Sequence, residues 1–313
     1  LMQTTDYFAK ECLSFALEFH DYTFREDAGE FIPTYMDAAT GDPTTLDYVD
    51  LSCTLKQITW ADFKGTKLTE PVVSYKEINE SYNVLTLQYI MSSKNESDEI
   101  EFYNVEEYYR LRYTTTRMYV LNFERRMNQY FRGENSFVTD GQSIQLGIRN
   151  KEIEYDISET GDVIAFVQEG ELWCLNRVGG KLVRVFSFLE AEGMNPRETF
   201  RQHDIRIVRV DEAGSIHFVV YGYMNRGIHE GQVGTGVYHY DGIVHTVEEE
   251  VFIPSNDSYE ILKAQMGQLL YANEQGNLYL LMDSNVYCVN LETLNVNRLV
   301  ENLTNSSYVV SAS

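Results

Sequence analysis

The 313-residue chain carries a net charge of −23, with 43% hydrophobic and 23% charged residues. The charge argues against a nucleic-acid partner, whose phosphates need Lys and Arg, and against an anionic membrane surface; it suits solubility, cations or a basic partner. The apolar share argues against global disorder, and no apolar run reaches the ~18 residues of a membrane-spanning helix.

With 23 Tyr and 16 Phe, the composition favours strands. The chain opens on Leu1 rather than Met, which reads as a mature or excised piece that has lost a targeting or anchoring segment. Residues 1–69 form a region of their own. In "TTDYFAKECLSFALEFH", Phe8, Cys12, Phe15, Ala16 and Phe19 recur at helical steps behind an N-cap candidate at Thr5 or Asp6, which predicts a short amphipathic helix. "YVDLSCTLKQITW" reads as strand.

From residue 70 onward a pattern repeats. "MYVLNFERR", "LWCLNRVGGKLVRVF", "VYHYDGIVHTVEEEVF" and "VYCVNLETLNVNRLV" align on Tyr119, Trp173, Tyr238 and Tyr287. Three residues later stand Asn122, Asn176, Asp241 and Asn290, the residue types whose side chains bond the backbone of a turn. Upstream, "DISETGDVIAFVQ", "VDEAGSIHFVV" and "NEQGNLYLLM" close a turn on Gly161, Gly214 and Gly276 before an apolar strand; "NESYNVLTLQY" has Tyr82 in place of the glycine. Each unit therefore has four strands: A, a Gly turn, B, a loop, C, an Asn/Asp turn, and D. Antiparallel units of this length are β-propeller blades.

"DISETGDVIAFVQEGELWCLN" resembles the S-x-D-G-x-x-I-A-F…L-x-V blade of Tol-B-like and dipeptidyl-peptidase-type propellers. The resemblance implies an all-β propeller with blades at about 70–132, 144–188, 203–253 and 258–301, and a partial strand at 308–313. Two accounts of the ends fit: closure of a fifth blade by both termini, or a longer propeller cut short. A β-sandwich with chance similarity between its hairpins is the alternative fold. The resemblance says little of function, because such blades serve many roles.

Register exposes two long B–C insertions, about Met91 to Arg117 and Gly222 to Gly236. Insertions in repeat folds gather on one face, often the binding face, so Tyr103, Tyr108, Tyr109, Tyr113, Tyr223, His229 and Glu230 are candidate ligand-binding residues. The glycines of the second insertion imply mobility or close backbone approach. In "EIEYDI", Glu152, Glu154 and Asp156 alternate along a strand and share one face. Lining a central channel, they would hold a cation or serve as acid and base on a carbohydrate; on a solvated edge they do neither.

Nothing else carries chemistry. The oxygens of Asp156–Asp162 are explained by the blade turn without calcium, and "GQVGTG" lacks the strand and helix of a dinucleotide loop. The histidines are scattered, so no metal site and no cofactor is expected, and no nucleophile motif occurs. Cys12, Cys53, Cys174 and Cys288 show no ligand spacing; Cys174 and Cys288 are predicted to be free, buried thiols. The sequence thus reads as a non-catalytic binding or scaffold module of a bacterial cell-envelope protein, with the cytoplasm as the alternative location. Its partner is a protein or a small ligand. The alternatives are a substrate-gating propeller of a larger peptidase and a carbohydrate-active propeller.

Overall fold

The computed structural model describes residues 7–38, 45–96, 98–131, 133, 144–147, 153–189 and 197–303. The chain divides into two compact units, Leu1–Glu152 and Ile153–Ser313. Both are mostly β.

In the first unit, helix α1 (Ala9–Thr23) is followed by α2 (Ala28–Phe31), a 3-10 turn, strand β1 (Tyr48–Asp50) and α3 (Leu55–Ile58). Then come β2 (Thr66–Lys67), β3 (Val72–Ile78), β4 (Asn83–Lys94), β5 (Ile100–Thr114) and β6 (Arg117–Gln129). The last four form a four-stranded meander, though not from the expected strands, and β1 pairs with β6 and β2 with β4, making a six-stranded sheet. Helix α1 buries Cys12, Phe15, Ala16 and Phe19 against Leu85, Leu87, Tyr109, Leu111 and Phe123 of the sheet. Each such large apolar side chain contributes roughly 1.5–3 kcal/mol. That shared core packs α1 onto the first sheet, within the compact unit Leu1–Glu152.

Two readings of this segment change. Asn122 opens no hairpin: it sits inside β6, opposite Arg110, and its amide donates to Glu124 Oε1 at 3.0 Å. The turn lies earlier, where Thr114 Oγ1 donates to the Arg117 carbonyl and accepts from the Arg117 amide. The presumed Met91–Arg117 insertion is the end of β4 plus β5, a strand paired on both edges. With β4 it makes an extended hairpin in the middle of the sheet. The cap candidates Thr5 and Asp6 lie outside the described residues.

The second unit holds three four-stranded antiparallel meanders. They are β7 (Tyr155–Ile157), β8 (Val163–Gln168), β9 (Glu171–Asn176) and β10 (Lys181–Phe186); β11 (His203–Val210), β12 (Ile216–Tyr223), β13 (Val233–Asp241) and β14 (Thr246–Pro254); and, after helix α4 (Tyr259–Gln268), β15 (Leu270–Ala272), β16 (Asn277–Met282), β17 (Asn285–Asn290) and β18 (Val296–Val300). Consecutive sheets pack face to face. Val163, Ala165, Leu172 and Val185 meet Ile205, Ile216, Phe218 and Tyr238, while Val219, Tyr221, Val237 and Ile253 meet Leu278, Leu280, Met282 and Val289. Strand β12 is thus buried on both faces, which explains its continuous apolar run. This is a propeller-like arrangement; no sheet closes a ring among the described residues.

The turn chemistry read from the sequence is in place. Asn176 Oδ1 accepts from the Gly179 amide, Asp241 Oδ1 from those of Ile243 and Val244, and Asn290 Oδ1 from those of Glu292 and Thr293. Gly161, Gly214 and Gly276 have φ of 79°, 83° and 71°, left-handed values that glycine adopts without strain. Helix α4 was not expected. Leu262 and Met266, one turn apart, sink into the core shared by the second and third sheets. The segment at 308–313 lies outside the described residues.

Candidate functional site

Alternation on three central strands of the first unit builds an inward face of Leu85, Leu87, Tyr89 and Met91, of Tyr103, Val105, Glu107, Tyr109 and Leu111, and of Phe123, Arg125 and Met127. Two of these are ionic, and both are fully shielded from solvent. Helix α1 adds His20 and Thr23 to the same space, one turn beyond Ala16 and Phe19 on its apolar face.

Glu107 receives three hydrogen bonds. His20 Nδ1 lies 3.1 Å from Oε2, the Tyr109 hydroxyl donates to Oε2 at 2.7 Å, and the Tyr89 hydroxyl donates to Oε1 at 2.7 Å. A carboxylate only accepts, so His20 carries its proton on Nδ1. Burial alone would raise the Glu107 pKa, but His20, Arg125 and Tyr109 together hold it below its usual range. Burial, then the Glu107 charge, pushes Tyr89 and Tyr109 far up.

Arg125 works on the other side of this network. Its Nη1 and Nη2 donate to the carbonyls of Ile58 and Gln57 at 2.8 and 2.7 Å, satisfying acceptors at the end of α3. Burial lowers its pKa, although Tyr89 and Glu107 oppose this. The guanidinium also lies 3.6 Å from the centroid of Trp60, close enough for a cation–π attraction.

Trp60 is held in an unusual way. Its φ is 70° and that of Ala61 is 49°, values rare for bulky residues and persistent only where the surroundings over-determine them. Here they do. Phe24 stacks on the ring at 5.2 Å, and the indole N–H donates to Thr23 Oγ1 at 3.2 Å, whose own hydroxyl donates to the His20 carbonyl.

Trp60 lines a cleft of about 520 Å³ with Phe24, Phe63 and Met91, the hydroxyls of Thr23 and Thr59, and the charged Arg25 and Glu26. That size and the mixture of aromatic walls with polar and charged groups suit a small organic ligand. Glycines complete the wall: a Cβ at Gly65 would strike Phe63 and Met91, whereas one at Gly29 would meet only Leu55, at 3.9 Å. Burial raises the thiol pKa of Cys12 and Cys53, and Glu107 is triply bonded, so neither thiol nor carboxylate is poised for chemistry.

The sequence-derived candidates are dispersed. Tyr109 belongs to the Glu107 network, and Tyr103, buried, packs edge-on against Phe63 of the cleft while donating to Glu101 Oε2. Tyr108 and Tyr113 are half-buried, the latter edge-on to Phe8. In the second unit Tyr223 meets Phe200, His229 stacks on Phe252 and pairs with Glu249, and Glu230 pairs with Arg197. Glu154 Oε1 accepts from Arg206 Nε and the Ile207 amide, and Asp156 Oδ1 from the Ile157 amide; Glu152 lies outside the described residues. Sequence reading missed His20, Trp60, Tyr89, Glu107 and Arg125. For Glu107 and Arg125 a signal existed, since each occupies an inward position of an otherwise apolar alternation.

No family model matches the chain, and no curated protein does. Among solved structures it is similar to tricorn protease, at 12% identity and a TM-score of 0.27, over 71% of this chain and 20% of that one. It is also similar to the extracellular domain of a one component system from B. thetaiotaomicron, at 12% identity and a TM-score of 0.23, over 79% of this chain and 36% of that one. Likenesses this loose leave the fold to be read from the strand pairings. No helix among the described residues is long and apolar enough to cross a membrane.

Proposed function

We propose that the chain is a non-catalytic binding module whose first unit takes a small, ring-bearing amphipathic ligand in the cleft beside Trp60. The observation that carries this is Trp60 itself, a bulky residue fixed at positive φ by Arg125, Phe24 and Thr23 at the wall of an open cleft. Trp60 is itself only 4% exposed, so it serves as a rigid backing that holds Phe24, 40% exposed, in place at the cleft, leaving little to order on binding. The Met91–Arg117 segment supports the site from behind through Tyr103, Glu107 and Tyr109, rather than as an exposed loop.

The second unit offers a docking patch in the same proposal. Its 224–232 loop displays Ile228, 83% exposed, beside His229 and Glu230. Placement in the cell envelope also belongs to the proposal and rests on the acidity and the blade-like sequence; cell fractionation tests it.

The ligand claim is tested by ligand-observed NMR with a set of aromatic acids, amides and alcohols. Gly29→Phe should fill the cleft and abolish the saturation-transfer signals of hits without lowering the melting temperature. Hits that bind Gly29→Phe unchanged, or a set that yields none, would refute it.

A further inference from the structure

The 6 histidines are spread along the chain, but register in one sheet gathers two of them with a carboxylate. His217 on β12 and His239 on β13 are direct cross-strand partners. On β14 the ladder slips: Tyr238 faces Glu249 and Val237 faces Val251, which leaves Glu250 as the extra residue of a bulge. A bulge re-aims side chains, and this one sets Glu250 beside the two imidazoles. His217 Nε2 lies 3.9 Å from Glu250 Oε1, and the imidazole rings stack at 4.5 Å and 22°. One donor atom from each residue lies within 4.8 Å of the other two. Glu250 Oε2 is shielded from solvent and has no hydrogen-bond partner.

We propose that His217, His239 and Glu250 bind a divalent transition-metal ion of the zinc class and so cross-link β12, β13 and β14. Two imidazoles and one carboxylate suit zinc, copper, nickel or iron(II), whereas calcium and magnesium prefer all-oxygen sites. In a tetrahedral zinc site neighbouring donors stand about 3.3 Å apart, so these three close by roughly 1 Å, within reach of side-chain torsions. The fourth position falls to water or to Glu248, the exposed cross-strand partner of His239. Arg209 faces His217 from β11 but is exposed, and Asp211 and Glu248 bring opposing charge to the neighbourhood. Three adjacent strands of a packed sheet supply the ligands, which fixes their backbones before the ion arrives.

The test is calorimetric titration of the full, untagged chain with zinc chloride after chelator treatment, with calcium chloride as a second titrant. The wild-type chain should bind a single equivalent of zinc and no calcium. His239→Gln and Glu250→Gln should each weaken zinc by roughly tenfold or more. His245→Gln, in the same sheet but outside the cluster, should leave it unchanged. Circular dichroism without metal establishes that each variant folds, and cobalt(II) should give the visible bands of a four-coordinate site only when both histidines are present. Absence of saturable zinc binding in the wild-type chain, or wild-type zinc affinity in His239→Gln or Glu250→Gln, overturns the proposal.

Discussion

His20 and Glu107 meet at 3.1 Å with both side chains shut off from water, one from the helix and the other from the middle of the sheet. Such a buried polar contact adds little net stability, because desolvation offsets the attraction, but removing the carboxylate leaves its buried donors unsatisfied. Glu107 is the common acceptor for His20, Tyr89 and Tyr109, so its loss strands three donors at once.

Glu107→Ala is therefore expected to destabilise the first unit by roughly 3–5 kcal/mol, and Glu107→Gln by less, since an amide oxygen still accepts. The chain has 2 tryptophans, Trp60 in the first unit and Trp173 in the second. Urea unfolding of Trp173→Phe variants, followed by Trp60 emission, reports on the first unit alone. A loss below about 1 kcal/mol for the alanine variant would show the network to be dispensable.

Acid should act on the two units in different windows. In the second unit burial first, then neighbouring positive charge, pushes the pKa of His203 down to about 3 and that of His217 to about 4, from an ordinary 6.5. As pH falls below about 6.5 the unfolded chain takes up these protons and the folded chain does not. Each histidine then removes about 1.4 kcal/mol of stability per pH unit, until its folded pKa is reached. Glu171 and Glu250, whose carboxyls burial raises, oppose this in the same unit, so His203→Phe is the informative variant. It should flatten the loss of stability between pH 6.5 and 4, read by Trp173 emission in a Trp60→Phe background. Glu107, held below its ordinary 4.5, acts in the same direction in the first unit but in a lower window: its contribution is full above that pH and is lost as pH falls beneath it. An unchanged slope in His203→Phe would contradict the assignment.

Gly222 should tolerate no side chain. Its φ is 116°, and a Cβ there would lie 2.3 Å from the Gln202 carbonyl oxygen, in the pairing of β11 with β12. Gly222→Ala is expected to cost on the order of 3 kcal/mol, measured by urea unfolding on Trp173 emission. Gly161, at a similar sign of φ but with nothing near its Cβ, should cost less when changed to alanine.

All four cysteines are free; Cys12, Cys53 and Cys174 are buried and Cys288 is half-buried. Burial raises the Cys174 pKa to about 11, so little thiolate is available there at neutral pH. A thiol reagent should modify Cys288 first in the native chain, and all four after unfolding without reductant. Fewer than four in the unfolded chain would reveal a disulfide, and rapid native labelling of Cys288→Ser would place reactivity elsewhere.

The blade turns were legible because their chemistry is local: Asn176, Asp241 and Asn290 bond amides two or three residues away. Asn122 carried the same letters in the same alternation yet lies within a continuous strand, because β6 gains partners on both edges. Tyr119 betrays the difference. It is 37% exposed, whereas Trp173, Tyr238 and Tyr287 are buried at 7–8%. The site was hidden for another reason. His20 and Glu107 stand 87 residues apart, and His217 and His239 become neighbours only through strand register. Periodicity assigns a side chain to a face, but not to its partner across the core.

The central claim is that Trp60 forms the wall of a ligand-binding cleft, and its own emission tests this most directly. In the Trp173→Phe background, titration with a ligand found by the NMR screen should shift or quench Trp60 fluorescence saturably, and the change should vanish in Gly29→Phe. A ligand that binds by NMR yet leaves Trp60 emission untouched, or alters it equally in Gly29→Phe, would contradict the account.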